Sequence, residues 1–578
     1  MNILGVSCFY HDAAACLVSD GRIVGAASEE AFTRKKHDSR LPVDAIRYVL
    51  REGGLQVGDL SAVIYYDKPI RKLDRALRTW IDTFPAGFGH FIRKMPHVAG
   101  VQLRLPSELE KGVGYKGPVL YSEHHLSHAA SAFYCSGWEE AAVLTVDGVG
   151  EWATSSWGHG RGGALTLTGE TRFPHSLGLL YSAVTLYLGF KVNSAEYKVM
   201  GLAPYGEPAY VDRIRQLIQV APDGTFRLDM RYFAFDRGER MFNEGFERLM
   251  GQPARPLEAG ELTQFHKDVA KSLQVVVDDT MVKLATTVVK ETGLKKLCLA
   301  GGVALNCVAN GEILRRAPVE DLFVQPSAGD AGGAMGAALL AWNGLLQKPR
   351  LPRLPSVYLG PGYTDDEVRA TLDAEGAVYR HFERADLLAE TVGLLTAGKV
   401  VGWFQGRMEW GPRALGHRSI LGDPRHPDMR DIINRKIKMR EGFRPFAPAV
   451  LEDRVSEWFE LDRPSPYMLL VAPVRRDKPS LPSITHVDGS ARIQTINREQ
   501  DPLYHDLIAA FGEATGVPVL INTSMNVRGE PMVCSPLDAW RCFMRTEMDV
   551  LVAGPYVLRK EDQPRVELKS AAEEFGLD

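Results

Sequence analysis

Three short apolar runs open the chain, each cut off by polar residues. Residues 3–8 (ILGVSC) are followed by Phe9, Tyr10, His11 and Asp12, residues 13–19 by Asp20 and Gly21, and residues 22–27 complete the third run. Runs of this length between turn residues predict strands. Asp-Gly between two of them predicts a tight hairpin, because that turn needs positive φ at both central positions. The pattern returns at residues 142–146, 153–158 and 164–168, with Asp147, Gly148, Val149, Gly150 and Glu151 forming the loop after the first strand. Further on, residues 297–300 predict a strand that runs into Gly301 and Gly302 and then a helix from about Val303. Residues 327–334 form another small-residue loop that opens a helix. Glycines in such loops let a ligand approach the backbone, and a helix N-terminus attracts anions.

Strand, Asp-bearing loop, strand, glycine turn and strand thus occur twice. This suits a duplicated α/β domain of the actin-like, sugar-kinase or chaperone-ATPase plan, in which each half lends one loop to a shared cleft. Two unrelated meanders would give the same pattern. Residues 347–355 hold three prolines and three Lys or Arg with little apolar content, which predicts a linker. Beyond it, residues 399–404, 517–521 and 550–558 read as buried strands of a second α/β domain. The expected domains are 1–350 and 356–578.

Composition narrows the class. A chain of 578 residues exceeds one hydrophobic core, and its 45% apolar and 24% charged content is that of a folded protein. The net charge of −4 argues against a protein that coats nucleic acid. Seven cysteines, odd in number and without a C-x-x-C pair, argue against a disulfide framework and for a reducing cytoplasm. No Lys or Arg precedes Arg22, so the charged start of a signal peptide is missing. Residues 174–190 and 331–347 are uncharged but fall short of the ~20 apolar residues of a membrane span.

His124 and His128 stand at i and i+4, so on a helix both imidazoles project from one face. That is half of a metal site, and equally an ordinary polar helix surface. His11, in the first strand-to-loop junction, could act as a general base on a hydroxyl if that loop lines a cleft. Residues 407–444 hold ten Lys or Arg against five acids, a net of +5, so the rest of the chain carries −9. Glycines and prolines break up this island, and few aromatics interleave it. A compact phosphate pocket fits better than a nucleic-acid track. Asn522 and Thr523 follow the apolar strand 517–521 and could cradle a ligand there.

Six stretches carry a resemblance: residues 5–14 (GVSCFYHDAA), 122–128 (SEHHLSH), 146–151 (VDGVGE), 197–206 (YKVMGLAPYG), 301–306 (GGVALN) and 405–419 (QGRMEWGPRALGHRS). Together they resemble the O-carbamoyltransferases of the nodulation protein U type. Relatives of that family decorate cephamycin, tobramycin, ansamycins, novobiocin and lipo-chitin nodulation factors, which implies antibiotic or other secondary metabolism. The resemblance implies an N-terminal domain similar to the actin-like, metal-binding protein that completes threonylcarbamoyl-adenosine synthesis. It implies a C-terminal domain similar to the synthase that makes the carbamoyl adenylate. Carbamoyl phosphate and ATP, with Mg, would give carbamoyl adenylate in the C-terminal domain. A hydroxyl of a small-molecule acceptor would then take the carbamoyl group in the N-terminal domain.

By the same resemblance, His124, His128, Asp147 and Asp330 would hold Fe(II), or Zn or Mn, and His11 would take the hydroxyl proton. Lys438 would be catalytic. Arg413, Arg418, Arg444, Asn522 and Thr523 would meet carbamoyl phosphate and nucleotide, with Gly301, Gly302 and Asn306 in the other domain. Lys36, or its neighbour Lys35, falls where a family lysine meets the adenylate. Neither nucleic acid nor membrane is an expected partner, and a homodimer stays open. The alternative is an actin-like ATPase or small-molecule kinase, which leaves the cationic island unexplained. Residues 68–94, rich in Arg, Lys, Trp and Phe, are a candidate part of the acceptor pocket.

Overall fold

The opening meander forms as the apolar runs predict. β1 (Asn2–Ser7), β2 (Ala14–Ser19) and β3 (Arg22–Ser28) pair antiparallel in sequence order, with Asn2 opposite Ser19 and Ala14 opposite Ser28. Asp20 and Gly21 both take positive φ, +46° and +82°. β4 (Ala62–Tyr65) and β5 (Val119–Tyr121) add in parallel on the far side of β1, giving the order β3-β2-β1-β4-β5. Parallel neighbours need crossovers, and α1 (Val43–Glu52) and α2 (Pro69–Thr83) lie within these connections. The computed structural model describes residues 1–89, 91–93, 102–350, 353–444 and 446–576. The end of the aromatic and basic segment 68–94, at Lys94, and Leu351 and Pro352 of the expected linker lie outside them.

The same sheet is built a second time. β6 (Glu140–Val146), β7 (Ala153–Arg161) and β8 (Ala164–Arg172) make an antiparallel meander. A small hairpin follows, β9 (Ile218–Val220) and β10 (Phe226–Leu228). Then β11 (Lys296–Ala300) and β12 (Asp321–Val324) extend in parallel from β6, in the order β12-β11-β6-β7-β8. Strand order and direction match the first sheet, so the duplicated actin-like plan holds at the level of topology. α3 (His124–Ser136) follows β5, and α7 (Asp330–Leu340) follows β12, at equivalent places in the two halves. Between them run α4 (Leu177–Tyr187), α5 (Gln264–Thr292) and α6 (Cys307–Arg316).

α3 and α7 are buried on nearly every side, which their runs of Ala, Gly and Ser permit. Their backbones touch. A Cβ on Gly336 of α7 would sit 1.8 Å from the Ser127 carbonyl oxygen of α3, and one on Gly5 of β1 would sit 1.8 Å from the Ala334 oxygen. Only glycine allows so close an approach.

Two expected elements differ. The helix after Gly302 does not start at Val303. A 3₁₀ turn over Gly302–Leu305 comes first, and α6 starts at Cys307 because the Asn306 side chain caps it by accepting from the Ala309 N–H at 3.1 Å. The single strand expected over 550–558 is a hairpin, β20 (Val550–Ala553) and β21 (Tyr556–Arg559), turned at Gly554 with φ +55° and at Pro555.

The chain forms two compact units. One is Met1–Glu29 with His37–Leu354; the other is Glu30–Lys36 with Pro355–Asp578. The short segment joins the second unit because Arg34 pairs with Glu530 at 3.0 Å and Asp538 at 3.4 Å and donates to the Pro531 and Met532 carbonyls. The second unit holds a nine-stranded mixed sheet. Besides β20 and β21 it contains β13 (Arg380–His381), β14 (Val401–Phe404), β15 (Arg418–Gly422), β16 (Ala447–Leu451), β17 (Leu470–Pro473), β18 (Ser490–Ile496) and β19 (Val519–Ser524), in the order β13-β21-β20-β14-β15-β19-β16-β18-β17. Helices α8 (Arg384–Thr396) and α9 (Pro502–Thr515) cover a core that includes Leu395, Trp403, Phe511 and Leu520. Among the described residues no helix is long and apolar enough to cross a membrane.

Two glycines give opposite expectations. Gly336→Ala forces a methyl into the α3 backbone and should destabilise the first unit by about 2 kcal/mol or more. Gly393→Ala in α8 meets nothing within 4 Å, so the better helix propensity of alanine should stabilise the second unit by about 0.5–1 kcal/mol. Calorimetric unfolding of the full chain checks both, as a lowered midpoint for the first variant and a raised or unchanged one for the second.

Candidate active site

The ends of β6 and the starts of α3 and α7 bring four buried side chains together. His124 and His128 come from one face of α3, Asp147 from the end of β6, and Asp330 from the first residue of α7. One ligand atom from each lies within 4.8 Å of all the others. His124 Nε2 is 3.1 Å from His128 Nε2 and 3.1 Å from Asp147 Oδ2, and both Nε2 atoms are 3.6 Å from Asp330 Oδ1. Two nitrogens at that distance cannot both donate to each other. Both instead face the carboxylate oxygens of Asp147 and Asp330, and the four donor atoms converge on one small volume. Burial disfavours charge on His128, but Asp147 and Asp330 outweigh it and hold the imidazole up at about 9. Asp147 is likewise held far below the ordinary carboxylate range by the two histidines, against burial. Two imidazoles and two carboxylates are a donor set for Fe(II), Zn or Mn, and the buried Nδ1 atoms of both histidines lack hydrogen-bond partners, which leaves Nε2 as the engaged atom.

A second layer fixes these groups. The Gly302 N–H donates to Asp147 Oδ1 at 2.8 Å, and the Tyr66 hydroxyl donates to Asp330 Oδ2 at 3.3 Å. Gly301 has φ +95°, and a Cβ there would sit 2.3 Å from the Val146 oxygen, so this loop presses directly on the strand that carries Asp147. Glu151 accepts the His124 backbone N–H at 3.0 Å and the Lys68 N–H at 2.9 Å. Asp67, fully buried and paired with Lys72, lies 4.0 Å from His124 Nδ1. Sequence reasoning missed Asp67, although it follows an apolar strand just as Asp147 does.

His11 faces the same cluster. Its Nδ1 hydrogen-bonds Asp12 Oδ2 at 2.9 Å, and its Nε2 is 3.9 Å from Asp330 Oδ2. Asp12 also accepts from His37 Nδ1 at 2.7 Å. The loop is held in a left-handed backbone at two non-glycine residues, Phe9 (φ +71°) and Asp12 (φ +53°), a strain found where neighbouring contacts over-determine the chain. Burial opposes charge on His11, yet Asp330 and Asp12 push its imidazole up to about 10. Asn306 is committed elsewhere: it caps α6 and exchanges amide hydrogen bonds with Gln274 at 3.1 Å each way. Lys36 lies half-buried at the end of the Glu30–Lys36 segment of the second unit, beside exposed Lys35.

In the second unit, Lys438 of the cationic island reaches the end of β19, with Arg440 and Arg444 near it. Asn522 donates to the Ala414 carbonyl at 3.2 Å and to Gln494 Oε1 at 2.7 Å, which ties β19 to the loop bearing Arg413. Lys438 is buried and donates to the Ser524 carbonyl, to Asn526 Oδ1 at 2.7 Å and to the Asn526 carbonyl at 3.0 Å. Burial and the nearby Arg440 and Arg444 push its amine well below the usual lysine range. Arg444 and Thr523 are half-buried at the same end. Arg418 is not a lining residue. It is fully buried, over the Phe404 ring, with its guanidinium engaged by the carbonyls of Gln405, Gly406, His417 and Pro361. Glu409, absent from the sequence reading, shapes the loop by accepting the N–H groups of Leu415, His417 and Arg418 at 2.7–3.1 Å.

The fold and the cluster define an enzyme-like, duplicated α/β protein with a buried site of metal-ligand composition. The chain belongs to the carbamoyltransferase family: carbamoyltransferase N-terminus matches residues 2–339 and carbamoyltransferase C-terminus matches residues 392–560. An uncharacterized protein of Synechocystis sp. is 50% identical over the whole of both chains. Nodulation protein NolNO of Sinorhizobium fredii is 40% identical, across 96% of this chain and 79% of its own. Among solved structures, the ROK hexokinase of Thermus thermophilus aligns with 59% of this chain and 98% of its own at 18% identity and a TM-score of 0.27.

Removing one imidazole should empty the cluster. His128→Ala purified in parallel with the native chain should retain less than about a tenth of its iron, zinc or manganese by elemental analysis. Tyr66→Phe, which removes the hydroxyl donated to Asp330, should weaken metal binding roughly tenfold, as loss of an outer-layer partner commonly does.

Proposed function

We propose that the chain is an O-carbamoyltransferase that works in two steps, one in each unit. In the first, carbamoyl phosphate and water give carbamate and phosphate. A carbamate oxygen then attacks the α-phosphorus of Mg-bound ATP, the bond to the β-phosphate breaks, and carbamoyl adenylate and pyrophosphate form. Arg413, Lys438, Arg444 and Thr523 receive the anions, and Asn522, whose amide N–H groups are spent on Ala414 and Gln494, holds the loop of Arg413 against β19. The oxygens around the Lys438 ammonium are neutral, so its charge is left for an arriving phosphate.

In the second step an acceptor hydroxyl attacks the carbamoyl carbon, the carbon–oxygen bond to phosphate breaks, and AMP leaves. His11 takes the hydroxyl proton at Nε2, with Nδ1–H held by Asp12. The residues His124, His128, Asp147 and Asp330 suit a divalent metal, which when bound supplies positive charge for the leaving phosphate and draws the field of Asp330 away from His11. Without that compensation His11 stays protonated and cannot act as a base. The reading is supported by one observation above the rest: in a chain of the carbamoyltransferase family, the free nitrogen of a hydrogen-bonded imidazole faces a metal-type carboxylate at 3.9 Å.

The steps should separate by mutation. Lys438→Glu places a carboxylate where a phosphate needs a cation. Two like charges ~4 Å apart cost about 1 to 4 kcal/mol depending on the local dielectric, so pyrophosphate release should fail. His11→Asn should keep pyrophosphate release and slow transfer roughly 10²- to 10⁴-fold. Carbamoyl adenylate supplied directly should rescue the Lys438 variant and not the His11 variant; the opposite pattern of rescue would reverse the assignment of steps to units.

A further inference from the structure

Helix α2 leaves the rim of the metal-type cluster immediately after Asp67 and carries a row of cations. Lys68 and Arg71 share Glu123 at 3.1 and 2.8 Å, Lys72 pairs with Asp67, and Arg78 pairs with Asp74 at 2.9 Å. Arg75, in the middle of the row, has no ion pair or hydrogen bond among the described residues. Its neighbour Asp74 is already taken by Arg78 and by the Trp152 indole N–H at 3.1 Å. Tyr10, Asp67 and Glu151 lie near enough to act on Arg75 electrostatically, and none bonds it. The guanidinium is half-buried, with its carbon 5.2 Å from the centre of the Phe173 ring. Its nitrogens still reach solvent, so the fork is open to an incoming acceptor, whereas its four neighbours in the row are already paired.

The surroundings fit a ligand rather than an empty surface. Tyr10 is 47% exposed, and its ring lies 4.5 Å from the ring of His11. Lys72 sits 5.7 Å above both Tyr10 and Tyr66. Arg75 therefore belongs to the same rim as the proton-accepting imidazole, with an aromatic face at each residue, Phe173 and Tyr10.

We propose that Arg75 binds a negatively charged group, a carboxylate, sulfate or phosphate, on the hydroxyl acceptor, while Phe173 and Tyr10 pack against the apolar part of that acceptor. This rests on the reading of the site as O-carbamoyl transfer. The planar fork of arginine matches an oxyanion with two parallel hydrogen bonds, and an aromatic ring beside it keeps the fork in place. A polycationic acceptor would be repelled by the same row of charge.

Titration calorimetry on the full chain tests this with two probes of equal shape, 4-(hydroxymethyl)benzoate and 4-(hydroxymethyl)benzamide, and with AMP. The carboxylate should bind roughly ten- to a hundredfold more tightly than the amide. Arg75→Gln should abolish that preference, Arg75→Lys should keep part of it, and Arg78→Gln on the outer turn should leave it unchanged. Equal binding of the two probes, binding of neither, or a preference that survives Arg75→Gln overturns the proposal. So does a loss of AMP affinity in Arg75→Gln with no change for the carboxylate, which would put the anion on the donor. Pyrophosphate release by the native chain from ATP and carbamoyl phosphate is read separately, so failure of the carbamoyl-transfer reading is told apart from failure of the acceptor assignment.

Discussion

The backbone of α7 lies directly against the backbones of α3 and β1, and the approach of Asp330 to His124 and His128 follows from that contact. Gly336 and Gly5 make it possible by having no side chain to place there. Gly333 adds a third point, because a Cβ there would sit 2.6 Å from the Tyr66 ring, whose hydroxyl reaches Asp330. Two helices held at this separation bring residues one turn apart on α3 within reach of the first residue of α7. Bulkier residues at the crossing would open the four-ligand distance well before they exposed any hydrophobic surface.

The two units solve opposite electrostatic problems. In the first, the buried carboxylates Asp147 and Asp330 face imidazoles, and they favour the protonated form of His11 and His128. In the second, buried cations rest on neutral oxygens: Lys438 on the oxygens of Ser524 and Asn526, Arg418 on four main-chain carbonyls. A neutral oxygen stabilises a cation less than a carboxylate does, so Lys438 retains affinity for an incoming anion, whereas an ion pair would already have spent it. The island's excess of positive charge within an acidic chain is the large-scale trace of this arrangement.

Much of this was readable from residue order. Period and turn chemistry located both meanders, because an Asp-Gly turn is a local constraint. His124, His128, Asp147 and Asp330 were reachable as one set only through motif resemblance. What escaped was set by distance along the chain. Nothing near Arg34 announces Glu530, almost five hundred residues away. Arg418 looks like any other cation of the island until the carbonyls around it are known. Asn306, placed at a ligand by the resemblance, caps α6 and pairs with Gln274. Asp67 carries no glycine signal, because its strand leads through Tyr65 and Tyr66 to Asp67 without one.

The seven residues of Glu30–Lys36 bind the history of the two units together. A gene divided at the linker would yield an N-terminal product whose Arg34 has lost both carboxylates, and a C-terminal product with Glu530 buried and its cation gone. Neither piece would be a complete folding module. Fusion partners and free-standing halves are thus unequal evolutionary options for this architecture. Domains can be added at its ends, but separating its two halves would first require rerouting a strand-to-helix connection near the start of the chain.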